Sequence, residues 1–327
     1  MTDLLGLIKS TGAYKIVKGD MEKDRLSHAY LIITPDGEYL TEYLKIFASI
    51  TLCNQQDSCG NCRSCKLIKD NIHSDVILYP KNGQSITSEE VNELIGESYV
   101  KPIEGDKKIF ILSQAQAMNA QAQNKLLKTL EEPPKNVHIF IGATSEFPLL
   151  STIKSRVKKL EIPPFTNKVL YDSLKEEYKD EERLLSAIEC GDGTVGMAEK
   201  NYADESLISL TALCAEIVVD MTSSSQVLKY SNKITQTKCD FNKFLSVMEL
   251  VLKDLLLIHE GKGKLASNKK IFEKLKEAKN FRTGSIIYAL EQVNEAKKRK
   301  KLNANQTMLT EWLLFQILEG KYKWQKL

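Results

Sequence analysis

Runs rich in β-branched and other apolar residues fall at 28–33, 75–78, 108–112, 137–141 and 157–162, each parted from the next by a longer stretch with helical spacing. Strands that alternate with helices in this way predict a parallel α/β sheet. Between them, Thr87-Ser88-Glu89-Glu90 has the form of a capping box that opens a helix. A further helix runs from about Asn119 until Pro133-Pro134 stops it, with Ala122, Leu126, Leu127 and Leu130 on one face for packing on the sheet. After Pro163-Pro164 only helical spacing remains. A softer break near residue 205 follows the glycine-rich turn Gly191-Asp192-Gly193-Thr194-Val195-Gly196. The expected division is therefore an α/β part at 1–164, a small helical part at 165–206 and an all-helical part at 207–327, with no internal repeat or low-complexity tract.

Composition narrows the class. A chain of 327 residues with 42% hydrophobic content can bury two or three cores. Its first residues lack a basic leader with a small-residue cleavage site, and the apolar stretch 244–258 is broken by Glu249 and Lys253. Neither a secretory signal nor a membrane span is expected, which points to the cytoplasm, where thiols stay reduced. A formal charge of +3 is too slight to predict strong nucleic-acid binding by charge alone. The one dense basic run, Lys297-Lys298-Arg299-Lys300-Lys301, reads as a solvated helix face, with a DNA or partner contact as the alternative.

Four of the seven cysteines crowd into thirteen residues as Cys53, Cys59, Cys62 and Cys65, a C-x5-C-x2-C-x2-C spacing. Four thiolates held by short turns around Gly60 and Asn61 can close a tetrahedral shell about one Zn2+, and such a shell leaves no position open for catalysis. Disulfides are disfavoured by the compartment. An iron–sulfur cluster is disfavoured because the run lacks the following Cys-Pro, and free core thiols leave the crowding without a reason. His73 lies near the cluster and is not needed as a ligand. Cys190, Cys214 and Cys239 are scattered and read as buried small hydrophobes.

Several segments, taken in order, resemble the clamp-loader AAA+ family. They are Arg25-Leu26-Ser27-His28-Ala29-Tyr30-Leu31, the cysteine cluster, Asn124-Lys125-Leu126-Leu127-Lys128-Thr129-Leu130-Glu131-Glu132-Pro133-Pro134 and Ser155-Arg156-Val157, with Asn303-Ala304-Asn305 and Glu311-Trp312-Leu313-Leu314 near the end. The resemblance implies a RecA-like α/β domain with a zinc-module insertion, a small helical lid and a C-terminal helical collar that holds the chain in a five-membered ring.

Some members of that family hydrolyse ATP and others do not. A Walker A loop should follow the first strand, its backbone N–H groups and lysine gripping phosphate and its Ser/Thr reaching Mg2+. This chain reads Thr34-Pro35-Asp36-Gly37-Glu38-Tyr39-Leu40-Thr41, with one glycine, no lysine and two acids. After the third strand, where a carboxylate pair should hold Mg2+, stands Ser113-Gln114-Ala115-Gln116. The lid arginine that would touch the γ-phosphate is matched by Gly196. No ATP is therefore expected on this chain.

Ser155-Arg156-Val157 resembles the family's Ser-Arg-Cys motif with valine in the last place. By this resemblance Arg156 is an arginine finger offered in trans to a neighbouring subunit's ATP, whereas a Ser-Arg pair by itself is an ordinary surface feature. The implied partners are ATPase subunits and a clamp-opening subunit in a hetero-pentamer, and through the complex the sliding clamp and primed DNA. Two other readings stand beside it, an ATP-hydrolysing subunit of the same family and a zinc-module nucleic-acid-binding protein unrelated to clamp loading.

Overall fold

The computed structural model describes residues 3–55, 57–81, 85–236, 240–263, 269–278, 281–302 and 304–323. Cys239 and Asn303 lie outside them. Contacts divide the chain into two compact units, Met1–Glu177 with Thr194–Gly196, and Tyr178–Gly193 with Met197–Leu327.

The first unit is built on five parallel strands, β1 (Ala29–Ile33), β2 (Val76–Tyr79), β3 (Lys108–Leu112), β4 (Val137–Ala143) and β5 (Lys158–Glu161), in the spatial order β2-β3-β4-β1-β5. All five expected strands are present, with β4 two residues longer than its apolar run and β5 shorter. Alternation along each strand sends side chains to two faces. On one face Ala29 and Leu31 of β1, Phe110 and Leu112 of β3, and Ile139 and Ile141 of β4 pack under the helices Ser88–Ser98 and Ala120–Glu131. On the other, Tyr30, Ile32, Ile109, Ile111 and Phe140 meet Tyr43, Leu44 and Phe47 of the helix Leu40–Leu52. Tyr30 stacks on Phe140 with ring centroids 5.5 Å apart. Burial on both faces is why the central strands read as continuous apolar runs. The exposed Lys158 and Lys159 charge the edge strand β5, a device that discourages pairing with other chains.

The helix starts follow the sequence signals. Thr87 accepts from the Glu90 N–H while Glu90 accepts from the Thr87 N–H, completing the capping box. Asn119 caps Ala120–Glu131 by accepting from the Ala122 N–H at 2.8 Å. Along that helix Ala122, Leu126 and Leu130 are buried, and Leu127 is partly buried against the same core.

After β5 every regular element among the described residues is a helix. The second unit closes around one apolar core that includes Cys214, Phe241, Phe244, Leu255, Phe281 and Leu313. Cys190 and Cys214 are buried, as their isolation in the sequence implies. No helix of the described residues is long and apolar enough to cross a membrane.

Candidate functional site

The four clustered cysteines are brought together by the end of one helix and the start of another. Cys53 ends Leu40–Leu52, and Cys62 caps Arg63–Lys69, its sulfur accepting from the Cys65 N–H at 3.4 Å. Gly60, at φ +71, takes the left-handed turn that returns the chain from Cys59 to Cys62. The Sγ atoms of Cys53, Cys59, Cys62 and Cys65 all lie within 4.8 Å of one another. Cys59 and Cys65 are 3.9 Å apart, Cys53 and Cys62 3.8 Å. Zn–S bonds of about 2.3 Å place the corners of a tetrahedron about 3.8 Å apart, so this donor set fits a four-thiolate ion.

The surroundings favour thiolates unevenly. N–H groups of Cys62 and Asn61 aimed at Cys59 pull its thiol down to about 6, whereas burial pushes Cys65 up. Asp57 ties the module to the neighbouring helix Gly12–Glu22. Its carboxylate accepts from the Tyr14 hydroxyl and meets Lys9 at 3.3 Å and Lys18 at 3.5 Å. Burial alone would raise the Asp57 carboxyl, but Tyr14 and the two lysines hold it below the usual range. His73 stands apart from the thiols; it is buried, and its Nδ1 accepts from the Asp75 N–H at 3.1 Å.

The second candidate region lies at the C-terminal ends of the strands, where parallel α/β sheets place their ligands. Because β1, β4 and β3 are adjacent and parallel, the segments that leave them converge on one edge. After β1, the buried Asp36 takes up the space of its own loop. Its Oδ2 accepts from the Tyr43 hydroxyl at 2.9 Å and from the N–H groups of Val195 at 2.9 Å and Gly196 at 3.2 Å, and its Oδ1 from the Tyr39 N–H at 3.3 Å. The N–H groups of Val195 and Gly196 are thus taken by a carboxylate of the chain itself. A side chain at Gly196 would have no room, since an added Cβ would stand 2.6 Å from Glu38 Cβ and 2.9 Å from Asp36 Oδ1.

Thr41 Oγ1 and Ser113 Oγ lie 2.7 Å apart, so the hydroxyl beyond the first loop and the residue after β3 bond each other directly. Gln116 Oε1 accepts from the Thr144 N–H at 3.2 Å. The sequence showed which groups are missing from this crevice but gave no sign of the Asp36 contacts, which join residues about 160 positions apart.

Arg156 lies in the turn between the helix Ser151–Lys154 and β5, half-buried. Its Nη1 donates to Thr152 O at 2.9 Å and to Ser155 Oγ at 3.2 Å, and its Nη2 pairs with Glu131 Oε1 at 2.6 Å. In the sequence Glu131 stands only as one position of the segment 124–134, with no mark of a tie to Arg156. The available signal was its place, an acid at the C-terminal end of a helix.

The basic run on the helix Thr283–Lys301 is largely matched within its own unit. Lys297 pairs with Glu249 at 2.6 Å, Arg299 with Glu295 at 3.0 Å, and Lys298 approaches Glu295 at 4.0 Å. The Arg299 guanidinium also lies 4.2 Å above the Trp312 ring, and Lys300 is 5.9 Å from the Phe241 ring.

Comparison with known proteins finds relatives by sequence. A family model described as DNA polymerase III, delta subunit, matches residues 9–166. The DNA polymerase III subunit delta' of Bacillus subtilis is 29% identical over 329 residues, an alignment covering 94% of this chain and 95% of that protein. The subunit delta' of Yersinia pestis is 26% identical over 266 residues, 78% of this chain and 77% of that protein. Among solved structures, a DNA polymerase III gamma subunit-related protein of Thermotoga maritima aligns over 94% of this chain and 99% of that chain, at 20% identity and a TM-score of 0.44.

Proposed function

The chain belongs to the delta-prime family of DNA polymerase III clamp-loader subunits, and on that footing we propose that it works there without hydrolysing ATP, lending Arg156 in trans to a neighbouring ATPase subunit. The observation that carries the non-hydrolysing half is Asp36. A buried carboxylate already bound to the N–H groups of Val195 and Gly196 fills the place of phosphate and repels another anion. The Thr41–Ser113 bond supports the same reading, because a P-loop hydroxyl and a carboxylate would share Mg2+ there in an active relative.

Arg156 acts on a partner's γ-phosphate. A planar, permanently charged guanidinium stabilises charge spread over the equatorial oxygens, an effect worth about 10³-fold or more for such fingers. Cys53, Cys59, Cys62 and Cys65 hold one structural Zn2+. When bound, the ion supplies a closed four-thiolate shell that ties the loop at 53–65 to its flanking helices and leaves no site for chemistry.

The three-part organisation, 1–164 as AAA+ domain, 165–206 as lid and 207–327 as collar, belongs to this proposal. So do the partners: ATPase subunits and the clamp-opening delta subunit in a cytoplasmic hetero-pentamer that loads the sliding clamp onto primed DNA. The local pairing of Lys297, Lys298 and Arg299 argues against a free DNA-binding face there and so against an unrelated nucleic-acid-binding role.

A titration of the isolated chain with a fluorescent ATP analogue in the presence of Mg2+ tests the nucleotide half. No saturable binding is expected. Submicromolar affinity would make the chain an ATP-binding member of the family.

A further inference from the structure

We propose that Glu131 is the positioning residue of Arg156, an inference that rests on the reading of Arg156 as a finger. Glu131 is the last residue of the helix Ala120–Glu131 and is followed by Glu132 at the C-cap. Two acids therefore stand at the negative end of the helix dipole, where cations are favoured. The helix itself gains nothing from this placement. The Glu131 carboxylate meets Arg156 Nη2 at 2.6 Å. The pair is half-exposed, with the side chains 34% and 48% accessible, so it adds little to stability.

What the pair does is fix a direction. An arginine side chain is rotamer-rich, and left to itself it samples many poses. Here Thr152 O and Ser155 Oγ take two N–H groups of Nη1, and Glu131 takes one of Nη2. Among the described residues three of the five donors of the fork are engaged, which leaves the Nε–H and one Nη2 N–H for an external phosphate.

A buried amide ties together the frame behind the pair. Gln123, 2% exposed on the same helix as Glu131, accepts from the Leu150 N–H at 2.8 Å and donates to Pro148 O at 3.1 Å and Met118 O at 3.0 Å. Leu150 is the N-cap of Ser151–Lys154, the helix that leads into Arg156. The glutamate and the arginine thus sit on two elements joined by one buried amide. A guanidinium aimed before the partner arrives loses less entropy on reaching phosphate, and small errors of aim at such a group are costly to rate.

The test is ATP turnover of the whole reassembled complex carrying wild-type chain, Glu131→Ala, Glu131→Gln, Arg156→Ala or the double variant Glu131→Ala/Arg156→Ala. The turnover that Arg156→Ala removes sets the scale. Glu131→Ala should remove most of that share through kcat, leaving the KM for ATP and the melting temperature near wild type. Glu131→Gln keeps an acceptor oxygen and should remove less than half of it. The double variant should match Arg156→Ala, because Glu131 has nothing to act through once the arginine is gone. Wild-type turnover with Glu131→Ala where Arg156→Ala lowers it, or a further loss in the double variant, overturns the positioning role and leaves the finger. Unchanged turnover with Arg156→Ala overturns both.

Discussion

The hydroxyl oxygens of Thr41 and Ser113 lie 2.7 Å apart, one at the start of the helix that follows β1 and the other at the first position after β3. Two neutral hydroxyl groups satisfy each other there. Ser113 is buried, so Thr41→Val should strand its hydroxyl and cost about 1 kcal/mol. Urea unfolding followed on the first unit checks this. Ser113→Asp alone should not yield Mg2+-dependent turnover, because neither the lysine nor an open phosphate site returns with it.

One zinc per chain is expected by elemental analysis of purified protein. Cys65 is buried, and Cys65→Ser should release the ion and lower the melting transition of the first unit on the order of 10 °C. A metal-free protein with unchanged melting, or an iron-containing preparation, would exclude a structural zinc.

Much of this fold was legible because the decisive information is local. The apolar runs mark strands buried on both faces, and Thr87, Glu90, Asn119 and Pro133-Pro134 carry their helix signals within a few residues. The four cysteines likewise lie within one short stretch, so their spacing already brings the four sulfurs to one place. Asp36 shows the opposite case. Its acidic character counted against a phosphate loop, but its use as a cap for Val195 depends on the fold bringing together distant segments, which no periodicity records. Glu131 and Arg156 are 25 positions apart, and only tertiary structure pairs them. The basic run reads as a charged helix face, while its partners Glu249 and Trp312 come from other helices.

In the second unit Lys321 is 1% exposed, donates to Met221 O at 2.7 Å and lies 4.9 Å from the Phe281 ring. Burial lowers its pKa from 10.5 to about 8, with the Asp220 charge pulling the other way. Below about pH 8 both folded and unfolded chains hold the proton, and the full burial penalty is present. As pH rises from there the folded lysine loses its proton first, so stability rises until the unfolded lysine titrates. Relative to Lys321→Met, the wild type should gain on the order of 3 kcal/mol between pH 7 and pH 10.5. Unfolding of both proteins at the two pH values reads the difference, and a constant gap would mean that the lysine titrates normally.

The most direct measurement is ATP turnover by the reassembled clamp loader with Arg156→Ala in this chain, alongside proof that the variant is in the complex. The account predicts normal folding, zinc content and assembly, with total turnover reduced in part because the served site alone slows by about 10³-fold or more. Clamp loading, which needs coordinated sites, should fall further. Arg156→Lys should rescue poorly, since an ammonium keeps the charge and loses the fork. Wild-type turnover and loading in a complex that contains Arg156→Ala would contradict the account and leave the chain as scaffold alone.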